Sequence, residues 1–275
     1  MNKLLKEGLI ILAVFFGILM GIYGIYRYSG VEEMAPEASE LETKLGELFW
    51  ESIQETETII DDPEITNPID TLVDKICKKN KINRQKIKVH VIDNSQVNAF
   101  TFPDNYLVIY TGLLEKVENE AALAGVISHE IAHMELNHVM KKLGKEIGLA
   151  VLLTISSGGS ADMAKEAMRM LASSAYDRGM EREADQKAVD YLLKAKINPN
   201  EFADFMYQLS LNEPDIVKNL SWISTHPETE QRSKDIIEHA KKKKVEFEPV
   251  LHPDTWNKMK EWSGNEESGG ISIQD

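Results

Sequence analysis

The chain has 275 residues, of which 43% are hydrophobic and 28% are charged. This is enough for one folded domain of about 200 residues with a hydrophobic core, together with shorter appended segments. The net charge of −14 and the isoelectric point near 5.0 argue against nucleic acid as a partner. A single cysteine, Cys77, excludes an internal disulfide framework, and its apolar helical neighbours indicate a small core residue.

The first element in chain order is an uncharged apolar run of about 19 residues, from Gly8 to Tyr26. That length matches a helix that crosses a bilayer, so we expect one transmembrane anchor at residues 8–27, after a charged N-terminus at residues 1–7. A cleaved signal peptide is the alternative, but its apolar core is usually about 7–15 residues long and is followed by a small-residue cleavage site, which is not evident here. Lys3 and Lys6 precede the run, which favours a folded domain on the extracytoplasmic side.

The remaining chain is predicted to form one module that is α+β and mainly helical. Leu41, Leu45 and Ile53 recur at helical spacing, and a second helix is expected from about Pro68 to Lys79. The clearest strand candidates, rich in Val, Ile and Tyr, are Lys88 to Ile92 and Tyr106 to Tyr110. The predicted segments after the anchor are a linker at residues 28–39, a folded domain at residues 40–245 and a C-terminal tail at residues 246–275.

His129, Glu130 and His133 form the most informative pattern in the sequence. Asn119 is a suitable N-cap for the apolar segment that contains them, which predicts a helix in which both histidines share one face. Two imidazoles four positions apart can bind one Zn²⁺ through a ring nitrogen of each. Glu130 lies beside that face and can act as the general base for an attacking water. The pattern therefore predicts one zinc ion per chain.

A third ligand is expected on a second helical pattern, where Glu181 and Asp185 are four positions apart and share one face. One carboxylate can bind the metal while the other accepts the second ring N–H of a histidine ligand. Glu183 is turned about 200° away from Glu181 on a helix. His138, five positions after His133, is expected to face away from the metal and to have a structural or supporting role.

An apolar run from Ile147 to Ile155, followed by a Ser- and Gly-rich stretch, separates the two patterns. The run is too short to span a membrane. It is interpreted as a core helix, with a membrane-facing or lid element on a glycine hinge as the alternative.

Four sequence blocks follow one another along the chain, namely Asn98 to Leu114, His129 to His138, Arg178 to Asp185, and Ser224 to Arg232. In this order they resemble the HtpX, BepA and LoiP type of zinc metallopeptidase, a family that also includes a CAAX prenyl protease and the mitochondrial Oma peptidase. The resemblance covers roughly residues 40 to 240, and four ordered blocks are far more specific than one motif. The chain departs from the family pattern in three places, namely Asp104-Asn105 in place of a glycine-rich turn, Ala122 in place of Glu and Asp177 in place of Ser.

The resemblance implies a zincin-like fold in which His129, His133 and Glu181 bind zinc and Glu130 is the general base. Asp185 would then support a histidine ligand. The resemblance also implies that the strand Tyr106 to Tyr110 presents an edge to which an extended substrate pairs.

His226, followed by Pro227, is expected to reach the active site from a loop, because proline disfavours the helical conformation of the residue before it. If His226 fills the open position on zinc, it acts as a latch that substrate must displace. If it stays just outside, His226 or Arg232 can stabilise the developing oxyanion. A loop-capping histidine with no role in the site is the third alternative.

The sequence therefore predicts a membrane-anchored, zinc-dependent endopeptidase that acts on protein or peptide substrates. By resemblance, these are damaged or misassembled envelope or membrane-associated proteins, as in protein quality control. The alternative is a zinc-stabilised chaperone or binding module that does not cleave. A prenyl-protein protease is a second enzymatic alternative, but it resembles relatives with several membrane spans.

Overall fold

The structure, a computed structural model, describes residues 35–211, 221–227, 229–241 and 243–264. Residue contacts divide the chain into two units, residues 1–42 and residues 43–275. Within the described ranges, no helix has both the length and the hydropathy that are needed to cross a bilayer. The predicted anchor at residues 8–27 lies outside the described residues.

The second unit contains a four-stranded sheet with the strands Ile59–Ile60 (β1), Lys88–Ile92 (β2), Ala99–Phe102 (β3) and Tyr106–Tyr110 (β4). Both predicted strands, β2 and β4, form with the predicted bounds. The strand order is β1-β2-β4-β3, in which β2 and β4 are parallel and the two outer pairs are antiparallel.

Strand β4 lies inside the sheet, so the expectation that it presents a substrate edge is wrong. Its backbone groups pair with β2 on one side and with β3 on the other. Asp104 and Asn105 join β3 to β4 with φ angles of 64° and 58°, which is typical of a tight hairpin turn and explains why these residue types replace glycine. Among the described residues, no strand pairs with the outer edge of β1 or of β3, and β3 is the longer of these two edge strands.

Helices make up most of the described chain, which confirms the mainly helical α+β class. A short 3₁₀ turn at Arg84–Lys86 precedes β2. The helices are Ala35–Thr56 (α1), Pro63–Asn80 (α2), Thr111–Lys116 (α3), Glu120–Glu135 (α4), His138–Glu146 (α5), Leu149–Ser156 (α6), Ala161–Ser173 (α7), Arg178–Ala195 (α8), Pro199–Ser210 (α9), Ser221–Thr225 (α10), Thr229–Ala240 (α11) and Pro253–Gly264 (α12).

Helix α4 is the central element of the unit, with buried side chains from Ala122 to His133. Asn119 caps it as predicted, because its side chain accepts a hydrogen bond of 2.9 Å from the backbone N–H of Ala122. It packs against α8, α9, α2 and β3. Gly125 permits the close approach of α9, since a Cβ atom there would lie 2.2 Å from Cβ of Phe202. The sequence thus places α4 where helices and sheet meet.

Helix α4 ends at Glu135, and the chain reverses through Asn137, whose φ angle of 55° is left-handed. His138 then begins α5 instead of continuing α4. The argument that placed His138 on the far side of one continuous helix is therefore wrong, because it assumed helical geometry through Asn137. The ring of His138 is fully buried and turns back towards His133.

Cys77 lies in the core, as predicted. Burial raises the pKa of its thiol to about 11, so the reactive thiolate is disfavoured near neutral pH. Helix α12 falls in the segment predicted to be a C-terminal tail, and its Met259 side chain is fully buried in the same core.

Helix α6 does not match the core-helix interpretation of its apolar run. Leu152 and Ile155 are buried, whereas Leu149 and Leu153 are 59% and 48% exposed. Val151 is also exposed, at 38%, so the lid and membrane-facing interpretations remain as predictions.

Candidate metal centre

Helix α4 places the two predicted histidine ligands side by side. The Nε2 atoms of His129 and His133 lie 2.9 Å apart, and both side chains are fully buried. This separation follows from their spacing of just over one helical turn, which puts both rings on the same face. Glu130, between them in sequence, is also fully buried.

Helix α8 supplies the predicted carboxylates. Oε1 of Glu181 lies 3.3 Å from Nε2 of His133, and its other oxygen lies 3.6 Å from Nε2 of His129. Asp185, one turn later, has Oδ1 3.0 Å from Nδ1 of His129. Glu183 points elsewhere, and its side chain is 64% exposed. The structure therefore brings Glu181, and not Glu183, to the two histidines.

His226, which directly follows α10, completes the cluster. Its Nδ1 lies 2.9 Å from Oε1 of Glu181 and 3.2 Å from Nε2 of His129. Its Nε2 lies 3.4 Å from Oε1 of Glu130. One potential ligand atom from each of His129, His133, Glu181 and His226 lies within 4.8 Å of all the others.

Arg232 holds this arrangement from α11 and is buried. Its guanidinium donates two hydrogen bonds to the carboxylate of Asp185, at 2.7 and 2.8 Å. It also contacts Oε2 of Glu181 and donates to the backbone carbonyl of His226 at 3.1 Å. Such a planar donor fixes carboxylate orientation as well as charge. One cation thus positions both α8 carboxylates and the His226 loop.

The electrostatics differ between the carboxylates of the cluster. Burial raises the pKa of Glu130, although His226 and His129 oppose the effect. For Glu181, burial also favours the protonated form, but His226, Arg232 and hydrogen bonds hold its pKa well below the usual range. Burial lowers the pKa of His133 well below its usual value, which favours the neutral imidazole that metals bind. The site therefore combines Glu130, whose pKa is raised as suits a general base, with Glu181, whose carboxylate stays ionised.

The donor set fits a zinc ion. Imidazole nitrogens and a carboxylate oxygen are the ligands that zinc takes in hydrolytic sites. Within the described part of the chain, Oε2 of Glu130 is buried and has no hydrogen-bond partner. A buried carboxylate oxygen without a partner is costly, which indicates that it faces a polar group in the working site.

Three residues at the site were not found from the sequence. The ring of Tyr176 stacks on His133 with centroids 4.0 Å apart, and Nζ of Lys142 lies 4.0 Å above the centroid of Tyr176. Trp222 lies parallel to His226 at 4.8 Å, and its Nε1 is 3.5 Å from Oε1 of Glu130. The spacing of Trp222 four positions before His226 was the available signal, since such a pair shares a helix face.

The sequence of the chain is similar to those of known peptidases. The sequence model of Peptidase family M48 matches residues 63–240. The chain is 25% identical over 219 residues to the beta-barrel assembly-enhancing protease of Yersinia pestis, covering 74% of this chain and 44% of that protein. It is 24% identical over 193 residues to the mitochondrial metalloendopeptidase OMA1 of Schizosaccharomyces pombe, covering 68% and 57%. With the OMA1 protein of Arabidopsis thaliana it shares 30% identity over 148 residues, covering 54% and 30%. The chain thus spans about half the length of the first curated relatives that it matches.

Proposed function

Because the chain belongs to Peptidase family M48, we propose that it is a zinc metalloendopeptidase that hydrolyses peptide bonds of protein substrates. The family resemblance drawn from the four sequence blocks is confirmed, and it supports the prediction of a metalloprotease. The observation that carries the proposal is the buried cluster of His129, His133 and Glu181 with the carboxylate of Glu130 beside it.

His129 and His133 would hold the zinc ion through Nε2, and Glu181 would hold it through a carboxylate oxygen. A zinc ion bound there would supply Lewis-acid polarisation of the scissile carbonyl and would acidify the attacking water. Asp185 would accept the Nδ1–H of His129 and so keep Nε2 free for the metal.

Glu130 is proposed to accept a proton from the attacking water and to pass it to the leaving amine. Burial raises the pKa of Glu130 towards neutral pH, so the residue is suited both to accept the proton and to release it. Trp222 fixes one carboxylate oxygen of Glu130 from a distance of 3.5 Å, and the other oxygen is left for the water.

His226 has two possible roles, and the geometry supports the latch better than the oxyanion role. Its Nδ1 lies 3.2 Å from Nε2 of His129 and 2.9 Å from Oε1 of Glu181, among the potential ligand atoms rather than outside them. A latch predicts that His226→Ala raises proteolysis and that X-ray absorption counts one nitrogen fewer on zinc. An oxyanion role predicts lost turnover with unchanged zinc coordination. A variant equal to the parent in both respects would leave His226 without a role in the site.

The substrate backbone is proposed to pair with the outer edge of β3. This strand packs against α4, which carries both histidines, and its outer edge has no described strand partner. In the described conformation, His129, Glu130, His133 and His226 are at most 1% exposed. Substrate binding therefore requires that this region opens.

The predicted anchor at residues 8–27 would place residues 40–245, as an extracytoplasmic catalytic domain, beside a membrane. Damaged or misassembled envelope proteins are the proposed substrates. The similarity to a beta-barrel assembly-enhancing protease supports this substrate class.

The alternative is a zinc-stabilised chaperone or binding module that does not cleave. A purely structural zinc site has no use for Glu130, and such sites are usually closed by four protein ligands, often cysteines. The discriminating experiment is casein digestion by the full chain, with and without a chelator. Glu130→Gln should retain zinc and lose cleavage, whereas Glu135→Gln, which removes an exposed carboxylate from the same helix, should retain both. Full cleavage by Glu130→Gln would remove Glu130 from the mechanism.

A further inference from the structure

The two nitrogens of His133 face different neighbours. Nε2 points into the cluster, 3.3 Å from Oε1 of Glu181. Nδ1 points out of it, 3.0 Å from Nδ1 of His138. Both imidazoles are fully buried, so solvent is not available to satisfy either ring nitrogen.

This contact restricts the tautomers of both rings. If Nε2 of His133 binds a metal, its lone pair faces the metal and the ring proton must lie on Nδ1. Nδ1–H then needs an acceptor, and the atom within reach is Nδ1 of His138. His138 can accept there only when its own proton lies on Nε2.

The proton on Nε2 of His138 in turn meets an acceptor. Oε2 of Glu183 lies 3.3 Å from this nitrogen. The order of hydrogen bonds is therefore His133 to His138 to Glu183, each ring donating outward. Donors and acceptors match along the whole series in one arrangement of protons.

The backbone makes this contact possible through the left-handed Asn137. By ending α4 and starting α5 at His138, it turns that ring back against the helix that carries His133. Glu183 reaches the same ring from α8, two positions after Glu181. A single turn of helix thus offers one carboxylate to the cluster and another to the histidine behind it.

We propose that His138 and Glu183 are positioning residues that fix His133 in the Nδ1–H tautomer and so aim its Nε2 at the metal. We call this pair the His138–Glu183 support. The inference rests on the proposed zinc site, and it assigns a role to Glu183 that is distinct from metal binding. Removing an outer partner of a metal-bound histidine typically weakens metal binding by about 10- to 100-fold.

The first test measures the dissociation constant for Zn²⁺ in the full chain by competition with a chromophoric chelator. His138→Phe keeps an aromatic ring but no acceptor, and we expect binding weaker by about 10-fold or more. His138→Asn places an amide oxygen near the former Nδ1 and should restore most of the affinity. Glu183→Gln should weaken binding by about 2- to 3-fold, less than His138→Phe, because the carboxylate is partly solvated. Glu166→Gln, which removes an exposed carboxylate that contacts Arg169, is the matched control and should leave binding unchanged.

The second test reads the tautomers directly from two-bond ¹H–¹⁵N NMR correlations of the imidazole rings in the zinc-loaded parent. We expect the proton of His133 on Nδ1 and that of His138 on Nε2. A proton on Nδ1 of His138, or equal zinc affinity in the parent and His138→Phe, would overturn the support. Should His138→Phe fail to fold, the parent tautomers and the affinity of His138→Asn decide. A parent that binds no zinc refutes the proposed function itself, whereas the other results bear only on the support.

Discussion

The two histidines of α4 are held from behind in different ways. His129 contacts Asp185, a buried carboxylate that Arg232 neutralises, and we call this pair the Asp185–Arg232 support. His133 contacts His138, which leads to the largely exposed Glu183. The comparison shows two solutions to one problem. A buried carboxylate requires a buried cation to balance its charge. A neutral imidazole instead accepts a hydrogen bond on one nitrogen and donates one from the other to a solvent-exposed carboxylate.

The largest expected effect is the difference in zinc retention between variants of Glu181 and Glu183. Both residues lie on α8, but Glu181 is a proposed ligand, whereas Glu183 belongs to the His138–Glu183 support. Glu181→Ala should abolish zinc retention, because it removes a proposed ligand. Glu183→Ala should still retain zinc through purification, with only a weaker affinity, because it touches the site through His138. Zinc content of the two purified variants checks this, and the reverse result would exchange their assignments.

The next effect concerns the cation of the Asp185–Arg232 support. Arg232→Met leaves Asp185 and Glu181 buried without their common counter-charge, so we expect the free energy of unfolding to fall by about 3–5 kcal/mol. Arg232→Lys keeps the charge but loses the paired hydrogen bonds to Asp185, and its loss should be smaller. Urea unfolding of the metal-free protein measures both. Equal stability of parent and Arg232→Met would mean that the two carboxylates do not depend on this cation.

The free energy of unfolding is expected to depend on pH through Lys142 of α5, which lies near His133 by way of the ring of Tyr176. Nζ of Lys142 donates to the carbonyls of Leu171 and Ser174 at the C-terminal end of α7. Burial lowers its pKa from 10.5 to about 8. The unfolded chain therefore binds more protons between pH 8 and 10.5, and stability should rise with pH across this window.

This rise should have a slope of at most about 1.4 kcal/mol per pH unit and should be absent from Lys142→Met. The measurement is the difference in unfolding free energy between parent and variant at several pH values, with a chelator present. If the unfolding free energies of the two proteins changed in parallel from pH 8 to 10.5, the pKa of Lys142 would not be lowered in the folded protein.

The smallest effect tests whether the His138–Glu183 support contributes to stability at all. Glu183→Gln should change the unfolding free energy of the metal-free protein by no more than about 0.5 kcal/mol, as for other exposed positions. Asp185→Asn should cost more, because it removes a buried charge from Arg232. Thermal unfolding of both variants makes the comparison, and a larger loss in Glu183→Gln would contradict the proposed difference between the two supports.

Local patterns predicted a large part of the structure. Asn119 caps α4, β2 and β4 have the predicted bounds, and helical spacing placed Glu181 rather than Glu183 at the histidines. Each of these depends on residues within about one or two helical turns or on one strand, where geometry is nearly fixed by chain connectivity. The roles of the site residues remain predictions that the proposed variants test.

The predictions that failed depended on how distant segments meet. Strand β4 was expected at an edge, but a tight turn pairs it with the preceding strand β3, which occupies the edge instead. Helix α6 was interpreted as a core helix from its composition, although nothing local specifies which apolar side chains find a partner. The position of His138 was missed because Asn137 stops α4, and a single left-handed residue changes the direction of everything after it.

The sequence by itself determined the residue types of the proposed ligands, their order along the chain and the helical spacing that pairs His129 with His133 and Glu181 with Asp185. The tertiary structure alone decided which charges and rings stand behind them. Arg232 lies 47 positions from Asp185, and Glu183 lies 45 positions from His138. At such separations along the chain, local backbone geometry does not fix the distance between two side chains. Packing of the helices around α4 therefore determines which residue contacts each histidine.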